Sequence, residues 1–120
     1  MRGGYAAVLL GLLALSACST PRPRLGRDLP ANFADANRAF DERIRARFPV
    51  GSSEGPLRDE LRVEHFKISA LTPAAGQGFG FSAQRGGEIF PACDLTWTVL
   101  WSADAGRITR IGASYYATCL

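Results

Sequence analysis

Residues 95–102, LTWTVLWS, place Leu95, Trp97, Val99 and Trp101 on one side of an extended chain and Thr96 and Thr98 on the other. Side chains two apart share a face of a strand, so this segment predicts a half-buried antiparallel strand whose apolar face must be covered by a second layer. Ala103-Asp104-Ala105-Gly106 has turn chemistry, and residues 107–117 carry Ile108, Ile111, Ala113, Tyr115 and Tyr116 as a returning strand. A hairpin follows, read with Trp97 opposite Ala113 and Val99 opposite Ile111. In that register Cys93 and Cys119 share the apolar parity, but Cys119 lies about two residues past the position opposite Cys93, a diagonal that needs a bulge or a slack end.

Ahead of the hairpin the periodicity changes. Phe33, Phe40, Ile44 and Phe48 recur at spacings of seven, four and four with Ala36 and Ala39 beside them, which predicts an amphipathic helix over 31–48. Asp28 and Pro30 suit its entry, Arg43, Arg45 and Arg47 favour its C-terminal end, and Pro49 stops it. Gly51-Ser52-Ser53 offers a turn and a cap for a second, shorter helix of about two turns, with Leu57, Leu61 and Glu64 on one face. Phe66, Ile68 and Ala70 alternate as a strand. Phe79, Phe81 and Ala83 alternate again before Gly86-Gly87 breaks the pattern, as a separate strand or a continuation of the first. Helix, helix, then strands, with no parallel crossover, predicts an α+β fold: two N-terminal helices packed on a small antiparallel sheet of three to four strands, a two-layer sandwich.

The N-terminus sets the address. Arg2 precedes the apolar stretch AAVLLGLLA at 6–14, the order of a secretory signal. The stretch is far short of the roughly 20 apolar residues that cross a bilayer. Leu15-Ser16-Ala17-Cys18 then matches the lipobox of bacterial lipoprotein signals: branched apolar, small, small, and the cysteine to be acylated. The expected organisation is a signal peptide at 1–17, a lipidated N-terminus and flexible tether at 18–30, and one domain at 31–120. Palmitate-type chains contribute about 0.8 kcal/mol per buried methylene, so the protein would be anchored to a membrane without spanning it. Ser19 rather than Asp after the cysteine points, by the usual sorting rule, to the outer membrane with the domain facing the periplasm.

Acylation of Cys18 leaves two of the three cysteines. In an exported chain Cys93 and Cys119 are then expected to form a disulfide, contributing on the order of 3 kcal/mol to a small domain. Removal of 1–17 takes only Arg2 from 14 basic residues, leaving a near balance with 11 acidic ones, which does not suggest a nucleic-acid binder. Arg22, Arg24 and Arg27 cluster beside the anchor, where they favour an anionic bilayer.

Little here suggests chemistry. The single histidine, His65, ends the second helix, where a solvated imidazole is the simplest reading. No metal-ligand set and no cofactor motif stands out, and Gly76-Gln77-Gly78-Phe79-Gly80 lacks the lysine of a phosphate loop. The expectation is no enzyme. Rigid aromatics on an open sheet face commonly anchor protein contacts, which makes Trp101, Tyr116, Phe79 and Phe81 the candidate partner-binding residues. A sheet edge offers a second route, by strand addition.

Phe48-Pro49-Val50-Gly51-Ser52-Ser53-Glu54 with Leu57 and Leu61, then Trp97-x-Val99-x-Trp101, an Asp104-x-Gly106 turn and Arg107-Ile108-x-x-Ile111, resemble small outer-membrane lipoproteins of the SmpA/OmlA (BamE) type over roughly residues 31–118. The resemblance implies helices closed by antiparallel strands, and a role in outer-membrane assembly or integrity through binding another envelope protein. Cys93 and Cys119 are additions to that family's pattern. The two-helix and sheet order is also similar to β-lactamase-inhibitor proteins, which implies the alternative of a periplasmic enzyme inhibitor binding through a loop at 76–91.

Overall fold

The computed structural model describes residues 23–72, 78–89 and 93–119. The signal peptide at 1–17, Cys18, the tether residues 19–22, and Gly76 and Gln77 lie outside them.

Helix α1, Phe33–Arg47, starts at Asn32, whose side-chain oxygen accepts the Asp35 N–H at 3.1 Å. This is an N-cap bond, so the helix begins there and not at Asp28 or Pro30. Phe48 caps the other end by donating its N–H to Ile44 O before Pro49. Helix α2, Glu54–Val63, runs ten residues, longer than the two turns expected. It closes in a Schellman motif: the His65 N–H reaches Arg62 O at 3.0 Å and the Phe66 N–H reaches Leu61 O at 2.8 Å. His65 itself sits at φ 64°, the left-handed position usually given to glycine.

Four strands follow: β1 Lys67–Ala70, β2 Phe81–Ile89, β3 Cys93–Asp104 and β4 Arg107–Cys119. They form one antiparallel sheet in the order β1-β2-β3-β4. The chain is thus an α+β sandwich with its helices on one face of the sheet. Phe81 opens a strand separate from β1, and Gly86 and Gly87 do not end it; they pair with Thr96 and Leu95. The reason is steric. A Cβ on Gly87 would stand 2.7 Å from the Trp97 ring, so glycine lets that indole lie over β2. Within the loop expected at 76–91, Phe81–Ile89 is therefore strand.

The hairpin register differs from the expected one. Trp97 faces Tyr115, Val99 faces Ala113 and Trp101 faces Ile111. Two local features produce the shift. Ala105 and Gly106 both have positive φ, 47° and 76°, and make a two-residue turn suited to strand twist. Thr109 is then an extra residue, because Ser102 pairs with Arg110 while Ala103 pairs with Ile108. The bulge lets Ile108 and Ile111, three apart, both point into the core. It also brings Cys119 directly opposite Cys93, where the two form a disulfide. The slack needed to join them is taken up at the turn end of the hairpin.

Between the layers, Leu95, Trp97, Val99, Trp101 and Ile111 meet Phe40 and Ile44 of α1 and Leu57 and Leu61 of α2, all buried. Each such side chain contributes about 1.5–3 kcal/mol relative to exposure.

Pro23 and Leu25 are buried too, and a 3-10 turn, Arg24–Gly26, lies against the core. This strap, 23–30, was expected to be tether and is instead part of the domain. Its glycine is required: a Cβ on Gly26 would fall 2.3 Å from Trp97 Nε1. Arg43 of α1 holds the strap by donating from Nη1 to Leu25 O at 2.8 Å and Arg27 O at 2.6 Å.

Candidate functional site

The strap fills only part of the space between the helices. Beside it an open groove of about 790 Å³ is lined by Arg24, Leu25, Arg43, Ala46, Arg47, Glu60, Val63 and Glu64. A second cleft of about 260 Å³ continues on its other side, where Pro23, Arg27, His65 and Arg85 join Arg24, Val63 and Glu64.

The periodicity that fills α2 with Leu57 and Leu61 also carries Glu64 inward. Glu64 is buried, and its Oε2 accepts the Arg24 N–H while its backbone carbonyl accepts from Arg85 Nη1. Burial of a carboxylate is tolerable when such donors satisfy it. Glu60 meets Arg47 Nε at 2.8 Å across the groove. Both glutamates are thus engaged in holding α1, α2 and the strap together. Val63 has no such role. At 76% exposure it is a bare apolar side chain rimmed by arginines.

As chemistry, this arrangement is an electropositive groove with an apolar centre. His65 is exposed and takes the left-handed position after α2, so its backbone conformation ends a helix. Among the described residues, no group of three or more His, Cys, Asp or Glu side chains is placed to hold a metal, and no helix is long and apolar enough to cross a membrane.

The structure separates the aromatic candidates. Trp101 shares the parity of Trp97 and Val99, and is fully buried beneath the helices at 0% exposure, so it is not on the open face. Phe81 pairs with it and stacks on its ring, centroids 5.4 Å apart, while the Arg58 guanidinium lies 4.3 Å from the Phe81 centroid. That pair closes the core. Phe79 is half-buried under the Arg110 guanidinium, 4.7 Å from its centroid, and Arg110 Nη1 also binds Gly78 O at 3.0 Å. Tyr116 alone of the four stands well exposed on the open face, at 49%, opposite Thr96. Its surroundings are short polar side chains, Ser82 and Thr98, both buried, and Ser114, half-buried like Leu100 beside it.

Nor are the two sheet edges equivalent. The outward N–H groups of Ala113 and Tyr115 on β4 are capped by Asp41 Oδ1 and Asn37 Oδ1 of α1, each at 2.8 Å. Nearer the turn, Ile108 exchanges backbone bonds with Gly51 and Ser52 at 2.8 and 2.9 Å. This edge is closed to strand addition. Sequence reasoning had given Arg43 only to the C-terminal end of α1 and had not marked Asn37 or Asp41 as edge caps, because polar helix residues that reach backbone have the same spacing as solvated ones.

Comparison of the chain with protein-family models, with curated proteins and with solved structures finds no match.

Proposed function

We propose that the chain is a non-enzymatic lipoprotein of the bacterial envelope, anchored through Cys18 at the outer membrane, with its domain facing the periplasm as a protein-binding module. The observation that carries this reading is the lipobox Leu15-Ser16-Ala17-Cys18, whose cysteine stands five positions before Pro23, the first described residue, which is buried. The disulfide between Cys93 and Cys119 supports an oxidising compartment. The partner surface is the open sheet face around Tyr116, the exposed aromatic on that side, and the resemblance to SmpA/OmlA-type domains suggests a partner in outer-membrane assembly.

Site-specific photocrosslinking from position 116 in intact cells tests the reading, with position 107 at the hairpin tip as the comparison. The expected outcome is one reproducible envelope protein captured from 116 and not from 107, and lost in the Cys18→Ser chain. Absence of any reproducible neighbour at 116 contradicts it.

A further inference from the structure

We infer that the groove beside the strap is a membrane-docking face, which lays the domain on an anionic phospholipid surface with Val63 at the contact. The inference rests on the proposed anchor at Cys18 and adds an orientation to it.

Reach limits the orientation. Pro23 is five positions on from Cys18, and an extended chain covers at most about 3.6 Å per residue, or roughly 18 Å. A domain of this size is roughly 30 Å across. Pro23 is buried in the fold and cannot pay out more chain. The side of the domain bearing the strap is therefore held at the bilayer, and the opposite side cannot take its place.

Charge points to the same side. The described residues lining the two clefts include the arginines at 24, 27, 43, 47 and 85, against Glu60 and Glu64. Glu60 is paired with Arg47, and Glu64 is buried beneath the strap. Arg85 is buried as deeply as Glu64 and offsets it, so the charge that reaches solvent is that of the exposed guanidinium groups of Arg24 and Arg27. Elsewhere the chain is nearly balanced, so this excess is local. Phospholipid phosphates are the complementary partner.

Val63 lines both clefts and, among the described residues, is the most exposed of the large hydrophobic side chains, at 76%. Water is an unfavourable neighbour for it, whereas the interfacial zone of a bilayer accepts an apolar side chain ringed by cations. Position, charge and apolar exposure thus converge on one face.

The test uses residues 19–120 without the lipid, a chain that keeps every described contact because all of them lie within 23–119. Co-sedimentation is measured with vesicles of phosphatidylcholine alone and with one-quarter phosphatidylglycerol. The expected result is binding that depends on phosphatidylglycerol, weakens with added salt, and falls about fivefold for each of Arg24→Gln and Arg27→Gln. Val63→Asp should lower it as well, whereas Arg107→Gln at the hairpin tip should not. Unchanged tryptophan fluorescence shows that each variant is folded. Equal binding to both vesicles, no binding to either, or equal loss in Arg107→Gln overturns the inference. Acylation of Cys18 is scored separately by mass on the full chain, so failure of the anchor and failure of the docking face are read independently.

Discussion

Asp41 of α1 accepts the backbone N–H of Ala113 on β4 at 2.8 Å, joining residues 72 apart in the chain. An outer strand normally offers such groups to other chains, and here a helix side chain occupies them. Asn37 repeats the contact one turn earlier with Tyr115. Asp41→Ala should therefore cost about 1–2 kcal/mol in denaturant unfolding. The double variant with Asn37→Ala should also self-associate in sedimentation velocity. A monomeric double variant of unchanged stability contradicts the edge-capping role.

Trp97 is clasped between two glycines, Gly26 of the strap and Gly87 of β2. Adding a methyl at either site drives it into a buried indole, and overpacking of this kind costs about 1–3 kcal/mol. The two sites should nevertheless differ. Gly87→Ala strains the sheet, and its effect is expected in global unfolding. Gly26→Ala is expected to lift the strap, so limited proteolysis should cut within 24–30 faster than in the parent while the remaining domain stays folded.

The disulfide closes the open end of the hairpin opposite the turn. Replacing Cys93 and Cys119 together by serine should lower stability by about 3 kcal/mol, measured by thermal or denaturant unfolding under non-reducing conditions. Reduction of the parent should give a similar loss, and no change in either case contradicts a structural role.

Among the described residues, three other than glycine hold left-handed backbone: Asp28 in the strap, His65 after α2 and Ala105 in the hairpin turn. His65→Gly and Ala105→Asn should each stabilise the protein by about 0.5–1 kcal/mol. A large loss of stability in His65→Gly would assign the imidazole a contact that the Schellman motif does not need.

The α+β class was legible because Trp97, Val99 and Trp101 alternate while Phe40, Ile44 and Phe48 recur at helical spacing, and period reports which face is buried. Register was not. A two-residue turn at Ala105 and Gly106, and one bulged residue at Thr109, each move the pairing by one, and neither leaves a hydrophobic signature. Gly86-Gly87 was misread as a breaker because sequence does not show that Trp97 needs the room. The strap was misread as tether for a related reason. Its arginines and prolines look solvated, while its burial rests on backbone carbonyls taken by Arg43 and on the carboxylate of Glu64. Of the aromatic candidates, parity already placed Trp101 inward, and Tyr116 was the one that parity left outside.

Cys18 is proposed to carry the lipid that brings this domain to a membrane. Intact mass and N-terminal peptide analysis of the protein recovered from its native envelope tests it directly. A chain beginning at Cys18 with acyl groups attached is expected in the membrane fraction, and a soluble or unprocessed product for Cys18→Ser. A chain recovered with an unmodified Cys18, or one cleaved elsewhere and released without lipid, contradicts it.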